Sequence, residues 1–407
     1  MELKRYKLGE ILELQRGYDL PSSQQKAGNV LVAGSNGIIG YHNEIRGNHP
    51  CITVGRSGSV GKVHYYEQPT WAHNTALFVK DFKGNNPQYL YYFLKNLHLD
   101  EMFVKGSSVV PSLDRKVVHS LVVPFHKEVV CQKRIALVLS NIDRKIELNR
   151  AINQNLEAMA KLLYDYWFVQ FDFPNENGKP YKSSGGKMVW NKKIKREIPE
   201  GWKEVTLNAF IDKNKAGDWG YDIPKDGTIK VGCVRGADII KLNDVPTRYI
   251  TSKHSDRLLE DGDIVIEISG GSPVQATGRV ALITNGVIGR NGGALVCSNF
   301  CQSFNMKKRE FSEYFYYLWQ NLYDNGNMFN FEGKTSGIKN FQTDVFLANH
   351  WFEVPKQLIE TFHTIVAQYH LMIDQNIIEN NNLTKQGHSL NICLLYTSDA
   401  ADDMQCV

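Results

Sequence analysis

The sequence lacks long apolar runs, clustered cysteines and an excess of charge of one sign. No run reaches the about 18 apolar residues of a membrane-spanning helix, and the first six residues lack the apolar core of a signal peptide. We therefore expect a cytoplasmic protein. The seven cysteines form no CxxC pair and no cysteine–histidine cluster with zinc spacing, which predicts reduced thiols and no metal site. A net charge of +4 permits a nucleic-acid partner without requiring one.

What the chain does contain is a repeat. Its 407 residues, 42% hydrophobic and 22% charged, suffice for two or three globular domains. Five blocks recur in the same order, and the last three of them are separated by about 225–231 residues. They are a short strand, a glycine- and serine-rich loop, an aromatic helix, a second polar loop and a strand near a proline. In the two copies these blocks are residues 50–54 and 261–266, 55–63 and 270–280, 88–97 and 313–322, 105–113 and 334–341, and 121–124 and 352–355.

The first copy ends in a predicted long helix. Residues 128–168 contain no proline or glycine, and a helix of about 40 residues would be about 60 Å long, more than a globular domain needs. Its apolar positions follow a heptad period, and the seam consists of Ile135, Leu139, Ile142, Ile146, Asn149, Asn153, Leu156, Ala160, Leu163 and Trp167. Asparagine in such a seam selects register and partner at a cost in stability.

The second copy repeats this seam 231 residues later, at Val366, Ile373, Ile377 and Asn380. We therefore expect the two helices to pack as an antiparallel pair. The repeat fades after Leu383, and residues 387–407 are interpreted as a tail foreign to the repeat. A segment rich in proline, glycine and serine, residues 171–186, together with the basic run 192–196, is typical of a linker.

Two motifs suggest catalysis, and each has a simpler interpretation. Asn86-Pro87-Gln-Tyr is similar to the motif that holds adenine in methyltransferases, but no cofactor loop accompanies it. We interpret Asn86 and Pro87 as the cap and first turn of the aromatic helix. Asp263 and Glu267 have the spacing of a two-metal carboxylate pair, but Ser269 stands where such sites place lysine. We expect a solvated strand face there.

The polar loops are better candidates for function. Glycine allows the backbone to approach a phosphate closely, and Arg, Gln, Asn and Ser carry the groups that read base edges. His64 and His73 have no accompanying nucleophile, so we expect them at the surface or facing DNA. The candidate DNA-binding residues are Arg56, Ser57, Lys62, His73, Asn74, Lys105, Ser107 and Ser108 in the first copy, with Ser272, Gln275, Thr277, Arg279, Arg290, Asn291, Lys334, Thr335, Ser336, Lys339 and Asn340 as their counterparts.

As a whole, the pattern resembles the specificity subunits of Type I restriction–modification systems. The resemblance rests on the repeat, on a Gln-x-x-Ile-Ala helix start at residues 132–136, and on Asp-Phe-Pro-Asn at 172–175 and Ile-Pro-Glu-Gly-Trp at 198–202. It implies a mixed α/β (α+β) fold with two tandem target-recognition domains separated by long antiparallel coiled-coil-like helices. The expected segments are target-recognition domains 1–125 and 204–356, spacer helices 126–170 and 357–386, a linker 171–203 and the tail 387–407.

The resemblance also implies a non-catalytic subunit that binds a bipartite double-stranded DNA target. Two modification subunits would carry S-adenosylmethionine and methylate adenine, and restriction subunits would use Mg and ATP to translocate and cut DNA; this chain would bind no cofactor. Three alternatives stay open: a specificity subunit of a Type II enzyme with fused cleavage and methylation partners, a solitary DNA adenine methyltransferase, and a helical scaffold that binds no nucleic acid.

Overall fold

The computed structural model describes residues 3–104, 112–270, 274–333 and 339–396. The chain divides into two compact units. The first unit consists of Met1–Glu147 and Asn380–Val407, and the second unit is Leu148–Glu379. Among the described residues, no helix combines the length and the apolarity needed to cross a membrane.

The elements that begin in the first unit are nine strands and five helices over its described part. The strands are β1 (Lys4–Lys7), β2 (Glu13–Arg16), β3 (Val30–Gly34), β4 (Gly37–His42), β5 (Cys51–Gly55), β6 (Val63–Tyr66), β7 (Thr70–Ala72), β8 (Ala76–Asp81) and β9 (Val122–Phe125). The helices are α1 (Leu8–Ile11), α2 (Pro87–Asn96), α3 (Leu99–Val104), α4 (Arg115–Ser120) and α5 (Val129–Tyr164).

Helix α2 forms where the sequence predicts an aromatic helix. The Asn86 side chain accepts a hydrogen bond from the Tyr89 amide at 2.8 Å, and Pro87 occupies the first turn. The cap interpretation of this motif is therefore confirmed. Tyr89 and Phe93 lie on the buried face of α2, where they pack with residues of β5, β8 and β9 in the core of the first unit.

The second unit begins within α5 and continues with the following described elements. The strands are β10 (Met188–Asn191), β11 (Arg196–Pro199), β12 (Lys203–Thr206), β13 (Ile211–Ala216), β14 (Thr228–Val234), β15 (Thr247–Thr251), β16 (Ile264–Glu267), β17 (Ser269–Gly270), β18 (Val280–Leu282), β19 (Leu295–Cys297), β20 (Cys301–Met306), β21 (Glu332–Gly333), β22 (Lys339–Phe341) and β23 (His350–Glu353). The helices are α6 (Asn285–Arg290), α7 (Phe311–Asp324), α8 (Thr343–Leu347) and α9 (Lys356–Tyr396).

The two units share one topology, which accounts for the sequence repeat. Each contains a four-stranded antiparallel sheet, with order β2-β8-β5-β6 in the first and β13-β20-β16-β18 in the second. Each also contains a three-stranded sheet with one parallel pair, β4-β3-β7 and β15-β14-β19. In each unit a strand also pairs with the strand that precedes the long helix, β1 with β9 before α5 and β12 with β23 before α9. The expected mixed α and β fold class is confirmed.

The segment predicted as a linker is folded. Strands β10 and β11 form an antiparallel hairpin, and the Asp172 carboxylate accepts hydrogen bonds from the backbone and the side chain of Ser183. Phe171 and Ile198 are buried in the core of the second unit, and Trp202 packs against it. The polar composition of this segment concealed these three apolar anchors.

Helix boundaries differ from the predicted ones. Helix α5 ends at Tyr164 and passes into a π-helical turn, Asp165–Val169, that buries Trp167 and Phe168. Helix α9 continues to Tyr396, past the end at residue 386 that the fading repeat suggested. The repeat ends before the helix does, because helix formation needs no similarity to the first copy.

Candidate nucleic-acid interface

In the first unit, three chain segments meet where β5 and β7 end. The carbonyl oxygen of Thr75 accepts the amides of Arg56 and Ser57 at 2.9 and 3.1 Å. The carbonyl oxygen of Arg56 in turn accepts the amide of Leu113 at 2.9 Å. We call this surface, with the β3–β4 turn beside it (residues 35, 36, 56, 57, 62, 73–75 and 112), the loop end of the first unit.

Five predicted DNA-binding residues lie in this loop end: Arg56, Ser57, Lys62, His73 and Asn74. The Arg56 guanidinium donates to the carbonyl of Asn74 at 3.3 Å, which holds the end of the side chain beside the loop. Exposed Lys62 donates to the side chain of Asn36 at 2.8 Å.

Two further residues of this surface, Asn36 and Asp19, were missed by the sequence reasoning. The Asn36 side chain accepts a hydrogen bond from Lys62, and the Asp19 side chain accepts one from the side chain of Asn74. Both are distant in sequence from the loops that they join, and a single polar residue in a turn gives little signal.

Gly55 allows the close approach that builds the loop end. A Cβ atom at this position would lie 1.9 Å from the carbonyl oxygen of Ser59 and 2.9 Å from that of Ser35. Both contacts are with backbone, which cannot move aside as a flexible side chain would. The residue type at this position is therefore dictated by packing, and the glycine supports the loop whether or not it touches a ligand.

The two histidines near the loop end are neutral groups at neutral pH. Burial lowers the pKa of His64, and the nearby charges of Lys62 and Lys95 lower it further. Burial also lowers the pKa of His73, which the Asp19 charge opposes. Its Nδ1 lies 3.0 Å from the Thr75 hydroxyl. Both rings are half-buried, and the lowered pKa of each favours the neutral imidazole in the protein without a ligand.

The second unit builds its loop end with the same backbone bonds. The carbonyl oxygen of Phe300 accepts the amides of Ile268 and Ser269 at 2.9 and 3.2 Å, and that of Ile268 accepts the amide of Phe341 at 2.8 Å. These bonds make Ile268, Ser269, Phe300 and Phe341 the structural counterparts of Arg56, Ser57, Thr75 and Leu113. The corresponding loop end of the second unit contains residues 219, 235, 236, 268, 269, 298–300 and 340.

Arg279 occupies the place of Lys62. The Glu267 amide donates to the Arg279 carbonyl at 2.9 Å, as the Gly55 amide does to the Lys62 carbonyl at 2.8 Å. The guanidinium, however, makes two hydrogen bonds to the Glu267 carboxylate, at 2.7 and 2.9 Å, and these raise the pKa of Arg279. Its charge is neutralised inside the fold, whereas Lys62 is exposed.

Arg290 and Asn291 are not the counterparts of His73 and Asn74. The Ser298 amide donates to the Val234 carbonyl at 2.9 Å, as His73 does to Ala33, so the counterparts are Ser298 and Asn299. The sequence pairing followed residue type, and it selected residues that precede β19 instead of those that follow it.

Arg290 and Asn291 instead hold the second unit together. Arg290 forms an ion pair with Asp374 of α9 and is almost fully buried there. The Asn291 side chain donates to the carbonyls of Val287 and Leu242, both at 2.9 Å, and closes the end of α6. DNA contacts of Arg290 and Asn291 stay a prediction. Both side chains already donate hydrogen bonds within the second unit.

The solvated strand face expected at Asp263 and Glu267 is wrong. Both carboxylates are buried, because β16 is an inner strand of its sheet and packs on both faces. Asp263 pairs with Lys215 at 2.8 Å and accepts Asn305 at 2.9 Å. Asp263 is thus paired with Lys215, and Glu267 is paired with Arg279. Across the described residues, no group of three or more His, Cys, Asp or Glu side chains could hold a metal ion.

Some of the remaining DNA-binding candidates lie in the described part of the chain, and others lie outside it. Thr277 is buried and donates to the Glu332 carboxylate, which also pairs with Lys339 at 2.8 Å, while Gln275 is exposed. Asn340 receives the Ser269 hydroxyl at 2.6 Å. The candidates outside the described residues are Lys105, Ser107, Ser108, Ser272, Lys334, Thr335 and Ser336.

The seam asparagines contact the opposite long helix. Within the second unit, Asn149 of α5 donates to the Glu379 carboxylate of α9 at 2.6 Å. Asn153 donates to the Ile373 carbonyl at 3.3 Å and accepts from Asn376 at 2.7 Å. Residue numbers rise along α5 as they fall along α9, so the helices are antiparallel there.

The apolar seam residues are buried or half-buried in both units. In the first unit, Asn380 donates to the Ile146 carbonyl at 3.4 Å, and Ile142 lies 3.4 Å from the position of a Cβ on Gly387. The remaining apolar positions of the seam, by unit, are Ile135 and Leu139 in the first and Leu156, Ala160, Leu163, Val366, Ile373 and Ile377 in the second.

Comparison with known proteins finds a family similar to the N-terminal part of the chain. Residues 2–158 match the family described as Type I restriction modification DNA specificity domain. This range covers the sheets and the loop end of the first unit and most of α5. Residues 2–158 are thus similar to a Type I specificity domain, and the expected resemblance to Type I specificity subunits is confirmed.

Two specificity subunits of Type I restriction enzymes are similar in sequence to parts of this chain. The specificity subunit of the Type I restriction enzyme MjaIX from Methanocaldococcus jannaschii is 30% identical over 126 residues, 30% of this chain and 27% of that protein. The HindI specificity subunit from Haemophilus influenzae is 49% identical over 41 residues, 10% of this chain and 9% of that protein. The aligned parts thus span about a quarter or less of these relatives.

A solved structure extends the likeness in fold to the whole chain. The crystal structure of a Type I restriction–modification S subunit from M. genitalium has a TM-score of 0.63 at 14% identity. The comparison covers 97% of this chain and 96% of that one. At this identity the likeness concerns the fold.

Proposed function

We propose that this chain is the DNA sequence-recognition subunit of a Type I restriction–modification complex. It binds a bipartite double-stranded target and directs partner subunits to methylate adenine or cleave DNA. The observation that carries the proposal is the specificity-domain match over residues 2–158, in a chain whose second unit repeats the strand order of the first. Two similar readers in one chain make a two-part target the natural outcome.

The loop ends are the proposed DNA-reading surfaces. Arg56 and Lys62 supply cationic donors for phosphates or guanine edges, and Asn74 supplies an amide suited to adenine. The Arg56 amide donates a hydrogen bond to the Thr75 carbonyl, and the Lys62 carbonyl accepts one from the Gly55 amide, so these side chains are displayed on a fixed frame. Such a frame lowers the entropy lost on binding.

The long helices are the proposed attachment sites of the partners. Two modification subunits would bind there and carry S-adenosylmethionine, and restriction subunits would bring the Mg- and ATP-dependent steps. This chain would hold no cofactor of its own. The pairing of Asn149 and Asn153 across the helices supports a spacer with a defined register.

The test is a loop exchange read by methylome sequencing. Cells carrying the chain with its modification partner are compared with cells in which residues 55–62 are replaced by those of a relative. Only one half of the methylated target should change. A target that changes in both halves, or that proves continuous, contradicts the two-reader proposal.

A point variant separates base from phosphate contacts. Arg56→Ala should cost about 1–3 kcal/mol in binding if the guanidinium reads a base, and it should relax specificity at one position. If the side chain touches only phosphate, binding weakens evenly across sequences. The slope of log affinity against log salt concentration then becomes shallower by about one. Arg5→Ala, an exposed arginine on β1, is the control. If neither the wild type nor any variant has a salt-dependent affinity for DNA, the helical-scaffold alternative is left.

A further inference from the structure

The loop end of the second unit contains a cleft lined by aromatic side chains. Its volume is about 410 Å³, and it is lined by Trp219, Arg235, Gly236, Ser298, Asn299 and Phe300. Phe300 is 52% exposed and Trp219 is 39% exposed. Two large apolar rings open to solvent at a proposed DNA-reading surface call for a ligand with an apolar part.

The buried Arg248 side chain fixes the position of Trp219. The Arg248 side chain, 8% exposed, donates to the Trp219 carbonyl at 2.8 Å and to the Gly220 carbonyl at 3.2 Å. The Arg248 guanidinium carbon lies 4.4 Å from the centre of the indole. This stacking and the two hydrogen bonds preorganise the ring, so that binding would lose little side-chain entropy.

The backbone under both rings is equally constrained. A Cβ atom on Gly217 would lie 2.0 Å from the Ser298 carbonyl oxygen, so only glycine permits this approach of the two segments. The Phe300 carbonyl accepts the amides of Ile268 and Ser269. Phe300 therefore projects an exposed ring from a fixed backbone, a costly arrangement for a surface without a partner.

The first unit has polar residues at the same places. The Tyr18 amide donates to the Ala72 carbonyl at 2.8 Å, and the Asp218 amide donates to the Cys297 carbonyl at 2.8 Å. The residue after each donor is Asp19 in the first unit and Trp219 in the second. Thr75 likewise corresponds to Phe300. The aromatic character thus belongs to the second unit alone and is not needed to build the fold.

We propose that this cleft contacts the 5-methyl group of a thymine in the second half of the DNA target, with Phe300 and Trp219 as specificity-determining residues. In the major groove, the thymine methyl is the apolar group by which base pairs differ, and apolar side chains read it. Arg235 at the rim is paired with Asp238 through two hydrogen bonds at 2.8 and 2.9 Å and is 44% exposed, so it borders the cleft in a fixed position. This inference rests on the proposed function.

The test uses the full-length chain with its modification partner. Duplexes selected from a random-sequence library define the target, and each thymine of the second half is then replaced by uracil, which lacks only the methyl group. Wild-type affinity should fall about fourfold at one position, the factor expected for one buried methyl-sized group. Phe300→Ala should bind the thymine and uracil duplexes equally, and Trp190→Ala, an exposed tryptophan on β10, should behave as wild type.

The outcomes separate the two proposals. If the wild-type complex selects no sequence, the proposed function fails and this inference fails with it. If it selects a bipartite target but shows no uracil effect in the second half, or if Phe300→Ala retains that effect, only the thymine contact is overturned. Because Phe300 is half exposed, the alanine variant should fold, and its circular dichroism spectrum should match wild type.

Discussion

Gln132 offers the sharpest test of how the first long helix is anchored. Its side chain is fully buried at the start of α5 and makes three hydrogen bonds, each 2.8 Å long. It accepts the amide of Asn86 and donates to the side chain of Asn85 and to the carbonyl of His126. One side chain thus ties α5 to the start of α2 and to the strand end that precedes α5.

Gln132→Ala removes all three bonds and leaves their partners in a buried place. Three neutral hydrogen bonds at about 1 kcal/mol each amount to about 3 kcal/mol. Partners that water cannot reach add to this cost, so we expect a loss of about 3–5 kcal/mol in the stability of the first unit.

The assay must report the stability of each unit separately. Tryptophan fluorescence cannot do this, because six of the seven tryptophans lie in the second unit and dominate the signal. Hydrogen–deuterium exchange should show faster exchange in α2 and β9 and unchanged exchange in β14 and β16. Gln154→Ala, an exposed glutamine on the same helix, should change stability by no more than about 0.5 kcal/mol. A Gln132→Ala cost below about 1 kcal/mol would refute the anchoring role.

Three further predictions follow from single contacts. Gly55→Ala should destabilise the first loop end by about 1–3 kcal/mol, since its Cβ would overlap the Ser59 carbonyl; denaturant titration and exchange at residues 55–62 measure this. Asn149→Ala should destabilise the helix pair by about 1.5–3 kcal/mol through loss of a hydrogen bond to a carboxylate, and thermal melts at matched concentration would show it. The hydrogen bond to Glu313 raises the pKa of His363 above 6.5, so its stabilisation is complete below pH 6.5 and disappears as the pH rises through the raised value. The melting difference between wild type and His363→Asn should therefore shrink at alkaline pH, and a difference that grows there would contradict the assignment.

Periodic features were predictable from the sequence. The repeat predicted two copies of one topology, and the heptad seam identified positions that are buried or half-buried, including Asn149. The cap at Asn86 followed from asparagine before proline. These signals are local or repeated many times, so one misplaced residue does not remove them.

Interactions between distant segments were not predictable. Arg290 was assigned to DNA because it is a polar residue near glycines, but its partner Asp374 lies 84 residues away. Glu267 was expected in solvent, because neither its inner strand nor Arg279 as its partner is visible in the local pattern. Trp219 was missed because one exposed tryptophan has no sequence signature.

If the two loop ends read DNA as we propose, their common frame explains how the target can change without a change of fold. The same main-chain bonds hold Arg56 in one unit and Ile268 in the other, and the same carbonyl acceptor belongs to Thr75 in one and Phe300 in the other. Since amides and carbonyls make these bonds, the side chains above them are free to differ in charge, size and polarity. Specificity can therefore diverge by single substitutions on a constant frame, whereas a residue such as Gly217, where a Cβ would meet backbone, cannot be varied without moving the frame itself.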